Sequence, residues 1–307
     1  MSARALPSIP ALPNVLFATD LSPGSLLAFP FAASIAHHYH GKIFLAHITS
    51  SEDYAPVQGT ARTTLNRLQM GVEEGIVAAL GGLQDIPHEV LLDHGDVRSS
   101  LMTVADRCRI DLIAIGTHGW RGIKKLLRGS TAEEIACMAA RPVMTVGPHV
   151  SSECDFRHIL YETDFSPESA RAMPFAFSLA EAYHASLLCL HVNELGSKEP
   201  PVLAGQKTQE FFNKHVCRDT CGDLVEKCSA TVEFGSRTEC ILNVANGRSI
   251  DLIVMGLHAS RGIKARVSAH LPGSTAYDVT AEARCPVITV PIASKTEFLD
   301  EYSPEFD

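Results

Sequence analysis

The sequence predicts an α/β fold: two doubly wound, Rossmann-like domains, each with a five-stranded, mainly parallel sheet and helices on both faces. Three observations support this prediction. The 307 residues suffice for about two domains of roughly 150 residues each. The first half of the chain aligns with the second half, which indicates an internal duplication. Within each half, short apolar runs alternate with longer helical stretches, which is typical of strand–helix–strand units around a parallel sheet.

The internal repeat sets the expected domain boundaries. The matching segments are 14–48 with 158–192, 95–122 with 235–262, and 141–146 with 285–290. The first pair aligns without gaps at an offset of 144, and 15 of its 35 positions are identical. The offset is 140 in the second pair and 144 again in the third, so the second copy contains four additional residues after Gly262. We expect one domain at 13–148 and the other at 157–292.

The elements of the first copy follow from its hydrophobic pattern. Short, near-continuous apolar runs predict strands that are buried on both faces of a parallel sheet. In chain order these runs are 15–18, 43–48, 89–92, 112–115 and 143–146. The stretches between them predict helices at 23–40, about 60–80, 97–108 and 132–139. Ser22 and Ser166 each precede a proline and predict helix N-caps, whereas Pro30 and Pro174 lie further inside the same helix and predict a kink.

Composition narrows the class of protein and its partners. The formal net charge is −9, with 35 acidic and 26 basic residues, which argues against nucleic acid as the main partner. No apolar run reaches the roughly 18 residues of a transmembrane helix. The first 14 residues contain three prolines and no continuous apolar stretch, so they do not resemble a secretion signal. The nine scattered cysteines suit reduced thiols, and we expect a cytoplasmic protein without a membrane partner.

A candidate ligand site follows from the ends of two strands. Ligands of open parallel sheets bind at the carboxyl ends of the strands where the strand order reverses. The first strand ends in Thr19-Asp20 and the fourth in Gly116, and we expect these strands to flank that point. The next segment, GTHGWRGIKKLLRGST at 116–131, carries four basic side chains and then opens a helix with Ser130 as N-cap. Exposed amides at a helix N-terminus bind anions, which predicts a phosphate site.

The spacing Gly116-x2-Gly119-x9-Gly129-Ser130 resembles the ATP-binding signature of the universal stress protein (UspA-like) family. The Thr19-Asp20 strand end and the final strand PVMTV are similar to that family too, and the resemblance covers both copies.

The resemblance implies that the first copy binds ATP, with Mg²⁺ as an expected companion of the phosphates. It implies that Asp20 bonds the adenine region and that the backbone of Ile48 contacts the base. Gly116 and Gly119 would lie against the ribose and phosphates. The phosphate chain would be held by Gly129, Ser130 and the amide of Thr131.

The second copy departs from this signature. Ala259 stands where the first copy has Gly119, and 13 residues instead of nine separate it from Gly273. Alanine is strained at a position that needs positive φ, and the longer loop would follow another path. We therefore predict that the second copy binds ATP weakly or not at all, although it could take another ligand.

Several residues have simpler interpretations that stay open. Gly116 and Gly119 could be turn glycines, and Asp20 could merely cap the following helix. His118 and His258 suit either phosphate gating or loop packing, whereas His47 and His191 are better explained as structural. A run with His215, Cys217, Cys221 and Cys228 lies in a predicted helical stretch at 203–229; it suits idle thiols better than a metal or redox site.

No catalytic motif accompanies the nucleotide signature. The chain has no Walker-type loop, dinucleotide fingerprint or nucleophile elbow, so we expect no catalytic residues and at most slow ATP hydrolysis. The leading hypothesis is an ATP-binding protein of stress response or signalling that acts through nucleotide-dependent ordering of 116–131. The alternative is a nucleotide-independent module for dimerisation or partner docking. By resemblance, the last strands should pair the two copies within one chain, and a homodimer of chains is a further expectation.

Overall fold

The computed structural model describes residues 10–49, 86–117, 135–136, 139–150, 154–194, 200–215, 222–257 and 274–291. The elements of the first repeat are β1 (Asn14–Ala18), α1 (Pro23–Leu26), α2 (Phe29–His38), β2 (Lys42–Thr49), β3 (His88–His94), α3 (Val97–Arg107), β4 (Leu112–Gly116) and β5 (Val143–Val146). Those of the second are β6 (His158–Thr163), α4 (Pro167–Ala182), β7 (Ser186–Glu194), α5 (Pro201–His215), β8 (Cys228–Gly235), α6 (Arg237–Gly247), β9 (Leu252–Gly256), α7 (Thr275–Glu282) and β10 (Val287–Val290). Among these described helices, none is long and apolar enough to cross a bilayer.

All ten strands belong to one sheet, in the order β3-β2-β1-β4-β5-β10-β9-β6-β7-β8. The five strands of each repeat are mutually parallel. The strand order therefore reverses between β1 and β4 in the first repeat and between β6 and β9 in the second. The prediction of two doubly wound domains is confirmed, and so is the prediction that β1 and β4 flank the reversal in the first.

The two repeats meet through their last strands. β5 and β10 pair antiparallel, with Met144 opposite Ile288, Val143 opposite Thr289, and Thr145 opposite Val287. Met144 and Ile288 are equivalent positions of the repeat, so a pseudo-two-fold axis passes between them. The expected pairing of the two copies within one chain is present, and it removes β5 and β10 from the edges of the sheet.

One hydrophobic core spans both repeats on one face of the sheet. Phe17 and Phe31 of the first repeat and Tyr161 and Leu179 of the second lie in a single buried cluster with Phe156, which precedes β6. The other face carries two separate clusters, one for each repeat. The helices thus cover both faces, as the apolar strands require.

A pair of equivalent hydrogen bonds links α2 to α4 across the pseudo-two-fold axis. The hydroxyls of Ser34 and Tyr183 lie 2.8 Å apart, and those of Tyr39 and Ser178 lie 2.6 Å apart. Both serines and both tyrosines correspond at the offset of 144, so one contact is made twice. Burial raises the pKa of Tyr39 to about 12, which keeps this hydroxyl protonated.

The two prolines of the predicted kink act differently in the two repeats. In the first, the predicted helix is divided into α1 and α2, and Pro30 lies in the first turn of α2, where its missing N–H costs no helical bond. In the second, α4 runs through Pro174 without interruption. Ser22 and Ser166 cap these helices as predicted.

The predicted helical stretch at 203–229 is wrong for Cys228, which is the first residue of strand β8. Its segment reads CSATVEFG, an alternating pattern that is typical of a strand. In the alignment of the two repeats this segment corresponds to β3. Cys217 and Cys221 lie outside the described residues. The cysteines that the structure describes are free thiols.

Candidate nucleotide site

The candidate site lies at the carboxyl ends of β1, β2 and β4. β1 pairs with β4 as far as Ala18 opposite Ile115, so Asp20 and Gly116 follow neighbouring strand ends. The carboxylate of Asp20 is exposed at this edge. Of the predicted site residues, the structure brings together Asp20, Ile48 and Gly116; Gly119, Gly129, Ser130 and Thr131 lie outside the described residues.

The turn after β1 is shaped by its own side chains. The Leu21 amide donates to Thr19 Oγ1 at 2.9 Å, and the Ser22 amide donates to Asp20 Oδ1 at 3.0 Å. Leu21 adopts φ +63°, a left-handed conformation that is uncommon for such a residue. Asp20 therefore orders the entry to α1, in agreement with the capping interpretation, and its carboxylate still faces solvent.

The backbone of Ile48 extends beyond the end of β1. The β1–β2 ladder ends at Ala18 opposite Ala46, and Ala46 O accepts from the Thr19 amide at 3.0 Å. Backbone groups alternate in direction along a strand, so Ile48, two residues further on, turns its amide and carbonyl to the side of β1. The Ile48 side chain is buried at 9% exposure, which leaves only its backbone for contact with a ligand.

Gly116 is required by packing within the protein. A Cβ at this position would collide with the Gly24 carbonyl oxygen and lie 2.8 Å from Ser25 Cα, both in α1. The backbone of Gly116 is not left-handed, so a positive φ does not account for this glycine. Gly256 meets the backbone of α4 in the same way. The close approach of the first helix thus explains this glycine in both repeats, and its contact with a ligand stays a prediction.

His47 and His191 fit the structural interpretation. Nδ1 of each ring lies 2.9 Å from a backbone carbonyl, that of Thr19 for His47 and that of Thr163 for His191. Because a carbonyl accepts, Nδ1 is the protonated nitrogen in both. Each histidine thus ties the second strand of its repeat to the turn after the first strand.

The second repeat carries an ion pair at the corresponding edge. Arg237, the first residue of α6, donates from Nε to Glu162 Oε1 at 2.7 Å, and its Nη2 lies 2.7 Å from that oxygen and 3.4 Å from Asp164 Oδ2. The Glu162 side chain is 1% exposed and that of Arg237 14%. Burial lowers the pKa of Arg237, but the nearby carboxylates, Glu194 among them, together outweigh it and the pKa lies above the ordinary value.

The sequence analysis missed this ion pair. Its signal is visible in the repeat, because Glu162 aligns with Ala18 and Arg237 with Val97. Two charges of opposite sign thus replace two apolar side chains.

The loop of the second repeat ends in a capped helix. Ser274 Oγ accepts from the Tyr277 amide at 3.3 Å, which caps α7. Ser274 is the equivalent of Ser130. The remainder of this loop, including His258, Ala259 and Gly273, lies outside the described residues, as do His118, Trp120 and the basic side chains of the first loop.

A family model for the universal stress protein family matches the chain twice, over residues 12–147 and 155–291. The chain belongs to the universal stress protein family. It carries two such domains in tandem, and single-domain relatives therefore match about half of it.

Two such relatives illustrate the match. A universal stress protein of Thermus aquaticus is 34% identical over 142 residues, which is 44% of this chain and 98% of the relative. Universal stress protein A homolog 1 of Coxiella burnetii is 29% identical over 141 residues, 43% of this chain and 94% of the relative.

A solved universal stress protein from Archaeoglobus fulgidus shares the fold over both domains. It covers 92% of this chain and 97% of its own, with a TM-score of 0.69 and 20% identity.

Proposed function

We propose that the first domain binds ATP at the carboxyl ends of β1 and β4, and that binding changes the surface that residues 116–131 offer to a partner. The protein would serve stress response or signalling in the cytoplasm. The observation that carries this proposal is the meeting of Asp20, the Ile48 backbone and the end of β4 at one edge of the sheet. In the proposed complex, Asp20 accepts from the amino group of the base, and Gly129, Ser130 and Thr131 hold the phosphates at a helix N-terminus.

The apolar lining of this edge supports a flat aromatic ligand. Ala18 and Val97 are partly exposed and pack on the core of the first domain. Such a surface suits the face of a purine, while polar groups at its rim fix the orientation. This apolar surface supports binding of the base only. Mg²⁺ would accompany the phosphates, and its contribution to binding is measured separately.

Isothermal titration of the full chain with ATP, with and without MgCl₂, tests the proposal. We expect one site per chain and a loss of at least about tenfold in affinity for Gly129→Asp, because the new carboxylate repels phosphate. Gly273→Asp, the matched change in the second repeat, should leave binding unchanged. Unaltered binding in Gly129→Asp would remove residues 116–131 from the site, and two equal sites would contradict the assignment to the first domain.

The alternative is a nucleotide-independent module for partner docking. The ion pair in the second domain favours it, because it leaves the carboxyl ends of that domain's strands without an apolar surface for a base. Denaturation of the purified protein and chromatography of the supernatant separate the two functions: released adenine nucleotide supports the first. A homodimer of chains would have to use a surface other than β5 and β10, since both are already paired on both sides.

A further inference from the structure

The ion pair between Glu162 and Arg237 affects which of the two domains can bind a nucleotide. Glu162 lies on β6 two residues before Asp164, and Arg237 begins α6. The equivalent positions in the first domain are Ala18, Asp20 and Val97. The two domains therefore share the strand-end aspartate, which is exposed in the first domain and partly buried in the second, and they differ in what stands beside it.

In the first domain the place beside the aspartate is apolar and partly open. Ala18 and Val97 carry no polar side-chain atom and are partly exposed. In the second domain a guanidinium fills that place, bonded to Glu162 at 2.7 Å and drawn to Asp164 at 3.4 Å. Asp164 is the equivalent of Asp20, which would contact a base in the first domain. In the second domain it is oriented towards the guanidinium of Arg237.

We propose that the Glu162–Arg237 ion pair occupies the base position of the second domain and excludes an adenine ring, so that the chain binds nucleotide at the first domain only. This inference rests on the proposed function, and it is independent of the loop between Gly256 and Ser274. A base could enter only by displacing Arg237, which would leave the buried carboxylate of Glu162 without its partner.

Photoaffinity labelling of the full chain with 8-azido-ATP, followed by peptide mapping, tests the exclusion. In the wild-type chain, almost all of the label should lie in the first domain. The double variant Glu162→Ala with Arg237→Val installs the residues of the first domain and should raise labelling of the second domain by about tenfold. Removal of both partners leaves no buried charge alone, so this variant should fold.

A control and a reciprocal variant complete the design. Glu239→Ala with Arg248→Val makes the same change of charge at two exposed positions, one in the first turn of α6 and one at its C-cap, and should leave labelling of the second domain at its wild-type level. Ala18→Glu with Val97→Arg introduces the ion pair into the first domain and should reduce its labelling by about tenfold. If one of the two ion-pair variants does not fold, as judged by circular dichroism, the other decides.

Each outcome has one meaning. Labelling of the wild-type second domain equal to that of the first would overturn the inference. So would ion-pair variants that fold and both keep the labelling of the wild type, since the reciprocal variant retains the loop sequence of the first domain. Absence of label from both domains of every variant would overturn the proposed function, and the inference with it.

Discussion

At the scale of single residues, the turn after the first strand of each repeat is held in a strained conformation. Leu21 and Phe165 have φ values of +63° and +64°, a region that costs an L-residue roughly 1–2 kcal/mol. The hydroxyls of Thr19 and Thr163 accept from these two amides and compensate for the strain. Because the turn recurs in both repeats, this entry to the first helix belongs to the duplicated fold.

The packing of Gly116 against α1 predicts a large effect of one methyl group. Gly116→Ala should lower the free energy of unfolding by about 3 kcal/mol, because the new Cβ must push the helix backbone away. Gly205→Ala is the matched control: a Cβ there meets nothing within 4 Å, and alanine in helix α5 should stabilise by about 0.5–1 kcal/mol. Urea unfolding measures both changes, and equal midpoints for the two variants would contradict the contact.

The buried ion pair predicts strong non-additivity. Arg237→Val alone should destabilise the chain by about 3–5 kcal/mol, since it leaves Glu162 buried without a cation, whereas adding Glu162→Ala should recover most of that loss. Urea unfolding of both single variants and the double variant gives the coupling energy. Losses that simply add would show that the two side chains do not depend on each other.

At the scale of elements, the helices that follow the third strands begin differently in the two repeats. Asp96 caps α3 by accepting from the amide and hydroxyl of Ser99, each at 2.9 Å. Ser236 precedes α6 at the equivalent position and makes no side-chain cap bond. The bonds from Ser99, first that of its amide and then that of its hydroxyl, lower the pKa of the Asp96 carboxyl.

This lowered pKa predicts a defined pH dependence. A carboxylate with a depressed pKa in the folded state stabilises the fold above the unfolded pKa of about 3.9, and this contribution is lost as the pH falls through the folded pKa. The difference in urea midpoint between wild type and Asp96→Asn should therefore shrink from about pH 6 to about pH 3. Ser236→Asn should shift the midpoint by an amount that does not change with pH. A difference in urea midpoint between wild type and Asp96→Asn that stays constant with pH would contradict the prediction.

Much of the fold could be predicted from local patterns, and the errors have physical causes. The apolar runs and the Ser-Pro caps are local signals, so β1, β4 and the starts of α1 and α4 were correct. Cys228 was placed in a helix because the thiols share a helical spacing, although the repeat register aligns its segment with β3.

The candidate site was predicted less completely than the fold. The end of β1 was found because a strand end followed by an aspartate is visible in one segment. Glu162 and Arg237 were missed because their contact joins residues far apart in sequence, and only the comparison of the repeats at Ala18 and Val97 carries a sign of it. The packing of Gly116 against α1 was not predicted, since the helix that it accommodates is a tertiary neighbour, and its contact with a ligand stays a prediction.

At the scale of the whole molecule, the two domains share a sheet and one core. Phe156 lies in that core at 0% exposure, stacked at 6.1 Å on Phe31 and 4.8 Å from Tyr183. A core with members from both repeats couples their unfolding.

The shared core predicts one cooperative transition for the full chain. Calorimetry should give a single peak, and Phe156→Ala should lower stability by about 3–5 kcal/mol while amide protection falls in β1 and β6 together. Val202→Ala, at a residue 73% exposed, should change neither. Two separate peaks, or loss of protection in only one repeat, would show that the domains unfold independently.

The antiparallel meeting of β5 with β10 also fixes the directions in which the protein can be approached. Since each half of the sheet is parallel, its strand ends point opposite ways in the two halves, and the ligand edge of one domain faces away from that of the other. A molecule docked over the nucleotide in the first domain cannot also cover the charged edge of the second. Under the proposed function, the chain would act as a connector with two opposite ends, of which only the end of the first domain would change with nucleotide.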